Sequence, residues 1–112
     1  MTSPSLPIRL VLSSCPPDHA QAIADALVEE QLAACVNIMP AGISTYRWQG
    51  EIARDREVLL LIKTASTRVS ALAERIRELH PYELPEVIAV PVLDGLTAYI
   101  DWVVAESQPP SE

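Results

Sequence analysis

A short connector fixed by two prolines, Pro81 and Pro85, constrains the fold of this chain more than any other feature. Each proline fixes φ and moves the residue before it out of the helical region. The spacing therefore predicts that a helix ends near His80 and that an extended segment begins near Glu86. Two interpretations of the polar groups between these points stay open. In the first, the connector holds these side chains in place for a functional site. In the second, His80 closes the helix and Tyr82 covers an edge of the core.

Apolar patterns predict the remaining helices and strands. Branched residues indicate strands, and apolar residues at three- and four-residue spacing indicate helices. In chain order the predicted elements are a strand over 8–14, a helix over 17–31, a strand over 35–48 interrupted near 40–42, a strand over 51–64, a helix over 69–79 that Ser66 and Thr67 cap, a buried strand over 87–92 and a short helix marked by Tyr99, Ile100, Val103 and Val104. Because Gln49 and Gly50 supply a tight turn, the two central strands form an unusually long hairpin.

This order is βαββαβ plus a C-terminal helix, which predicts an α+β fold of the ferredoxin-like, split-βαβ type. Right-handed crossovers place both main helices on one face of an antiparallel sheet. The topology brings Cys15, the hairpin tip and the proline-fixed connector toward the same edge of the sheet, and Cys35 toward the opposite edge. The two cysteines are therefore expected to be too far apart for an intrachain disulfide.

Length, charge and hydropathy exclude several classes of protein. The 112 residues make one domain, 1–112, in which 1–6 and 108–112 are expected to be flexible. A net charge of -7 without a basic cluster argues against nucleic acid as a partner. The longest apolar run, 58–62, is too short to cross a membrane, and the start of the chain lacks a basic, apolar leader. We therefore expect a cytoplasmic location with both cysteines reduced.

Cys15 and His80 are the candidate metal ligands. Cys15 lies at a predicted helix N-terminus, where the dipole favours a thiolate, and His80 could meet it across the first and fourth strands. A thiolate and an imidazole suit a copper-type ion, but they are only two ligands. Tight binding is therefore expected to need ligands from neighbouring subunits, a thiol or water, with His80 reachable by solvent. Inert, partly buried thiols are the alternative for both cysteines.

Aromatic residues near the hairpin tip predict oligomerisation. Tyr46, Trp48 and Tyr82 are three of the five aromatic residues, and a lone monomer would leave them and the strand edges exposed. Catalytic motifs are scarce, so no enzymatic activity is expected. Glu57 and Lys63 share a face of one strand, but such a pair is more often a salt bridge than a catalytic dyad.

The chain resembles the CutA divalent-cation tolerance family from about residue 8 to 102. The residues that carry the resemblance are Leu32-Ala33-Ala34-Cys35-Val36-Asn37-Ile38, Ser44-x-Tyr46-x-Trp48-x-Gly50, the strand from Glu57 to Thr64, His80-Pro81-Tyr82-Glu83-x-Pro85-Glu86 and Tyr99-x-x-Trp102. The resemblance implies a ferredoxin-like fold and a tight homotrimer in which long hairpins extend the sheets across subunits. It also implies a role linked to copper and other divalent cations, without an established reaction.

The resemblance assigns site residues individually. His80 falls on a family histidine associated with copper, and Trp48, Glu57, Lys63 and Tyr82 fall on positions that look like the lining of an intersubunit cleft. The chain departs from the pattern at two positions, with Ser14 where some bacterial members carry the metal-associated cysteine and Leu79 where they carry a second histidine. A shift of one residue along an extended segment turns a side chain to the other face.

The leading hypothesis is therefore a non-enzymatic, trimeric protein of divalent metal ion tolerance that binds copper weakly through His80 and Cys15. No cofactor is expected to be required for folding. The first alternative is a small-ligand signalling module that resembles the PII-like trimers and uses the cleft. The second is a structural assembly scaffold without a ligand of its own.

Overall fold

The computed structural model describes residues 4–110, which form five strands and three helices. The elements are β1 (Ile8–Cys15), α1 (Pro17–Glu29), β2 (Cys35–Ile38), β3 (Gly42–Trp48), β4 (Glu51–Ala65), α2 (Val69–Leu79), β5 (Ile88–Pro91) and α3 (Thr97–Glu106). No helix in this part of the chain is long and apolar enough to cross a membrane. The predicted order is confirmed, and the break near 40–42 divides the predicted second strand into β2 and β3.

The sheet is antiparallel and has the order β2-β4-β1-β5, with β3 pairing separately with β4. At 15 residues β4 is the longest of these strands, and it pairs with β1, β2 and β3. Its outer half continues past the end of β1 as a hairpin with β3. This long hairpin was predicted from the turn at Gln49 and Gly50, both of which have positive φ.

The core lies between one face of the sheet and helices α1 and α2. Alternate residues of β4 point into it, because successive side chains of a strand point to opposite faces. The buried core cluster consists of Val11, Cys15, Ala20, Ile23, Leu27, Leu32, Ala33, Val58, Leu60, Ile62, Leu72 and Ile76. The prediction that both main helices cover one face is confirmed.

The opposite side of the sheet, called here the open face, is covered only at one end. There Ile8 on β1 packs against Ile100 and Val103 of α3, and the three form a second buried cluster. Ser107, just after α3, accepts a 2.9 Å hydrogen bond from the Ala65 backbone N–H and donates one of 2.6 Å to the Val103 carbonyl. Elsewhere this face carries apolar residues without a covering layer: Leu10, Leu12, Leu59, Leu61, Ile88 and Val90.

Two sequence predictions are wrong in detail. The last strand was expected to be buried, but all four residues of β5 are exposed because this edge strand pairs only with β1. Ser66 and Thr67 were expected to cap the second helix, but neither caps it by a side-chain hydrogen bond. A 3-10 turn, Ser66–Arg68, leads into α2 instead, and the Ser66 N–H donates to the Pro7 carbonyl at 2.9 Å.

The predicted flexible ends lie partly outside the described residues, which exclude 1–3 and 111–112. Within the described part, the Leu6 N–H donates a 2.8 Å hydrogen bond to the Val92 carbonyl, and the Leu6 side chain packs against the second cluster. Gln108 donates to the Val104 carbonyl at 2.7 Å. Leu6 is therefore attached to the fold, and the expected flexibility of the chain ends stays a prediction.

Candidate ligand-binding cleft

The proline-fixed connector has the backbone that its sequence predicts. Helix α2 ends at His80, whose φ of -78° and ψ of 140° are extended, while its N–H still donates to the Ile76 carbonyl at 2.8 Å. Pro81 disfavours the helical conformation at the residue before it, so the helix stops here. The connector then passes the end of β1 on its way to β5.

The His80 side chain is buried and fully hydrogen-bonded, with only 7% of the residue exposed. Its Nε2 lies 2.7 Å from the Ser14 carbonyl oxygen, and its Nδ1 lies 3.1 Å from the Tyr82 backbone nitrogen. A carbonyl only accepts and a backbone N–H only donates, so Nε2 carries the proton and Nδ1 accepts. The expectation that His80 is reachable by solvent is wrong, because the ring ties the connector to β1.

Cys15 lies on the core side of β1, opposite Val58. Burial, followed by the nearby carboxylates of Glu57 and Asp18, raises the pKa of the Cys15 thiol from 9.0 to about 11. The prediction that the helix N-terminus favours a thiolate is therefore wrong, because burial disfavours the charged form. Ser14, one residue earlier, lines the cleft described below, as the alternation of side chains along a strand requires.

These residues do not fit a copper ion within one chain. The His80 nitrogens are both engaged, and the Cys15 thiol is protonated and buried in the core. Among residues 4–110, no group of three or more His, Cys, Asp or Glu side chains is placed to hold a metal ion. Within the described chain His80 and Cys15 do not form a metal site on their own, and copper binding that uses a neighbouring subunit stays a prediction.

The predicted separation of the cysteines is confirmed. Both Cys15 and Cys35 are free. In the sheet register, Cys15 pairs with Val58 and Cys35 with Lys63, five residues further along β4. At about 3.3 Å per strand residue, this offset exceeds the Cα separation that a disulfide spans.

A cavity of about 580 Å³ lies between the β3–β4 hairpin, the end of β1 and the connector. We call it the cleft. It is lined by Ser14, Ser44, Thr45, Tyr46, Trp48, Glu57, Tyr82, Glu83, Leu84 and Glu86. Three of the four residues assigned to a cleft by resemblance, namely Trp48, Glu57 and Tyr82, are brought together in a single chain.

Lys63, the fourth assigned residue, does not line this cleft. It is six residues from Glu57 along β4, about 20 Å in an extended strand. Its ammonium group donates to Asn37 and lies 4.0 Å from the Cys35 sulfur. The two residues share a face of β4, as predicted, but they form no ion pair in the described structure.

The cleft is electrostatically negative. Glu57 is only 8% exposed, and burial together with its carboxylate raises the pKa of Tyr82 well above its usual value. A hydrogen bond from the Tyr46 hydroxyl to Asp55, helped by burial, raises the pKa of Tyr46. Among the described residues that line the cleft, none is Lys, Arg or His.

Sequence reasoning missed two serines that line the cleft, Ser14 on β1 and Ser44 on β3. Ser44 belongs to the Ser44-x-Tyr46-x-Trp48-x-Gly50 pattern but was assigned no role, and Ser14 was noted only as a departure from the family pattern. The register places Ser44 opposite Asp55, on the same side of the hairpin as Tyr46 and Glu57. Strand alternation counted back from Glu57 could have identified these positions, but only once the pairing partner of each strand was known.

Comparisons with known proteins agree with this fold. A family profile described as CutA1 divalent ion tolerance protein matches residues 9–106. The divalent-cation tolerance protein CutA of Thermus thermophilus is 50% identical over 95 residues, which are 84% of this chain and 92% of that protein. The CutA homolog of Xenopus laevis is 52% identical over 91 residues, which are 80% of this chain and 60% of that protein.

Solved structures give the same result. The divalent cation tolerance protein of Thermus thermophilus superposes with a TM-score of 0.87 at 47% identity, covering 90% of this chain and 99% of that one. CutA from Xylella fastidiosa superposes with a TM-score of 0.88 at 47% identity, covering 91% of this chain and 99% of that one. CutA from Nostoc, described as a PII-like protein in its apo form, superposes with a TM-score of 0.85 at 40% identity. The superposition covers 91% of this chain and 99% of that one.

Proposed function

Because the chain belongs to the CutA1 family of divalent ion tolerance proteins, we propose that it acts as a non-enzymatic homotrimer in divalent-cation tolerance in the cytoplasm. The observation that carries the proposal is the uncovered apolar surface of the open face. Ile88 is 53% exposed and Val90 is 39% exposed, and the register aligns them with Leu12 and Leu10. Contiguous apolar surface of this kind is typical of a subunit interface.

The edges of the sheet support assembly as well. Among the described residues, strand β5 pairs only with β1 and strand β3 only with β4, so both present unpaired backbone groups along one side. An exposed edge strand is a template for another chain, and a closed threefold ring satisfies such edges without open-ended growth. A trimer of this type covers the open face and the hairpin together.

For copper, the proposal is that any tight site uses ligands from more than one subunit. His80 would have to break two hydrogen bonds to bind a metal, and the Cys15 thiol would have to lose a proton in the core. Metal binding by one chain is therefore weak. The tolerance role rests on the assembled protein rather than on a preformed copper site in each chain.

Copper titration of the tag-free protein tests this view. We expect no tight one-to-one site per chain, and we expect His80→Ala to leave the copper stoichiometry unchanged. Loss of a tight site in His80→Ala, with the folded trimer retained, would restore His80 as a ligand and contradict the proposal. Light scattering after size exclusion supplies the oligomeric state of each sample.

A second candidate function is a small-ligand signalling module of the PII-like type. The cleft supports it, because Trp48, Glu57 and Tyr82 surround a cavity large enough for a small molecule. The similar Nostoc protein is itself described as PII-like. Thermal-shift measurements with nucleotides, small anions and small cations test this candidate. A protein that responds to no ligand and no metal would instead be an assembly scaffold.

A further inference from the structure

Within residues 4–110 of one chain, the cleft combines aromatic rings with carboxylates and has no basic lining residue. Tyr46, Trp48 and Tyr82 contribute the rings. Three carboxylates, those of Glu57, Glu83 and Glu86, line the same cavity. A site with this lining repels phosphates and carboxylates and attracts positive charge.

Glu57 distinguishes the cleft from an ordinary acidic surface. It is the only one of the three lining glutamates that is buried, and no Lys, Arg or His in residues 4–110 forms an ion pair with it. Its carboxylate therefore has no countercharge among the described residues, and a cation in the cleft would supply one. Glu57 faces the cavity beside the phenol ring of Tyr82, whose pKa it helps to raise.

We propose that the cleft binds a small organic cation of the methylated ammonium class. The aromatic side chains attract such a cation through the negative faces of their rings, and the buried Glu57 carboxylate supplies the opposite charge. A methylated ammonium group needs no directed hydrogen bonds, so contact with the rings and attraction to one carboxylate are enough to hold it. A bare metal ion fits less well, because the carboxylates are not grouped for coordination in the described chain.

This inference rests on the small-ligand role proposed above and is independent of copper. Calorimetric titration of the whole assembled protein with choline is the direct test. The matched control is 3,3-dimethylbutan-1-ol, which has the shape of choline without its charge. Choline should bind and the neutral alcohol should not. Equal binding of both compounds would overturn the proposal, since shape alone would then explain it.

Variants locate the site. Glu57→Gln should weaken choline binding by at least about tenfold, the effect expected for loss of one close charge interaction. Glu29→Gln removes the same charge from an exposed position of α1, away from the cleft, and should leave binding unchanged. Trp48→Leu should also weaken binding, whereas Trp102→Leu on α3 should not. If Glu57→Gln binds choline as wild type does, the proposal is wrong.

Two further outcomes separate the possible failures. If Lys63→Ala tightens choline binding, a neighbouring subunit's lysine is the natural cation of the cleft, and the proposal is overturned. If choline has no effect while a nucleotide or small anion stabilises the protein, the small-ligand role stands and the cationic class is wrong. If no compound stabilises the protein, both proposals fail. A far-ultraviolet circular dichroism spectrum confirms that each variant is folded.

Discussion

His80 shows how one side chain joins two parts of the fold. The proline that follows it ends α2, and the two ring nitrogens then attach the connector to the end of β1. Of the two interpretations that the sequence leaves open, the described structure supports His80 as a closing residue. Tyr82 has a different role, because it lines the cleft.

Replacing His80 by alanine should destabilise the protein by about 1–3 kcal/mol, because the Ser14 carbonyl and the Tyr82 N–H would lose their partners in a buried place. Urea unfolding at fixed protein concentration measures this change. His19→Ala is the matched control, since His19 is exposed and its ion pair with Asp18 lies at the surface. The control should change stability by less than about 0.5 kcal/mol. An equally small effect at His80 would contradict its role in attaching the connector to β1.

Cys15 should make the protein less stable at alkaline pH. Its thiol has a pKa of about 11 in the folded chain and an ordinary value of 9.0, so the folded form holds the proton more tightly. The stabilisation is complete below pH 9 and is lost as pH rises through 11. Unfolding at a series of pH values between these limits should show a smaller decline for Cys15→Ala than for wild type. The residual decline comes from Tyr46, Tyr82 and Tyr99, whose pKa values are also raised in the folded chain.

At the scale of elements, α3 is attached to the sheet by Ser107 as well as by apolar packing. The buried Ser107 hydroxyl is the hydrogen-bond partner of the Ala65 N–H at the end of β4. Ser107→Ala should leave that N–H unpaired and lower the free energy of unfolding by about 1–3 kcal/mol. Ser70→Ala, at an exposed position of α2, is the control and should be close to neutral. Amide exchange at Ala65 reports whether the effect is local.

The helices and strands were predictable because their signals are local. Proline geometry located the end of α2, apolar spacing located α1 and α2, and the Gln49–Gly50 turn located the hairpin. Burial of β5 was not predictable in this way. Its apolar run indicates a covered strand, but the chain itself places it at a sheet edge, so the covering would have to come from outside the described chain.

The candidate site was predictable only in part. Trp48, Glu57 and Tyr82 meet because the hairpin and the connector reach the same end of the sheet, which the topology indicated. The predicted metal pair is not formed within the described chain, because strand alternation turns Cys15 into the core and hydrogen bonds occupy both ring nitrogens of His80. Residue types and spacing alone do not show which face of the sheet a strand residue points to. They also do not show which groups hydrogen-bond to a histidine ring.

At the scale of the whole molecule, the open face and the cleft are continuous. Glu57, Leu59 and Leu61 alternate along the same side of β4, so the strand that lines the cleft also forms the apolar surface. Docking of a second copy on this surface would place it beside the cleft. We therefore expect ligand binding and assembly to influence each other, with the cleft close to a subunit boundary.

A charge placed on the open face should dissociate the assembly. Val90 is an exposed residue of β5 that the register pairs with Leu10, so Val90→Asp would bury an unpaired carboxylate in the proposed interface. Light scattering after size exclusion should give three times the 12.2 kDa chain mass for wild type and a smaller mass for the variant. Val28→Asp introduces the same charge at an exposed position of α1, away from the open face, and should remain trimeric. Trp48→Ala should weaken the trimer through lost burial. A wild-type protein that is a stable monomer at micromolar concentration would contradict the trimer, because the apolar open face and the aromatic hairpin would then both lie in water.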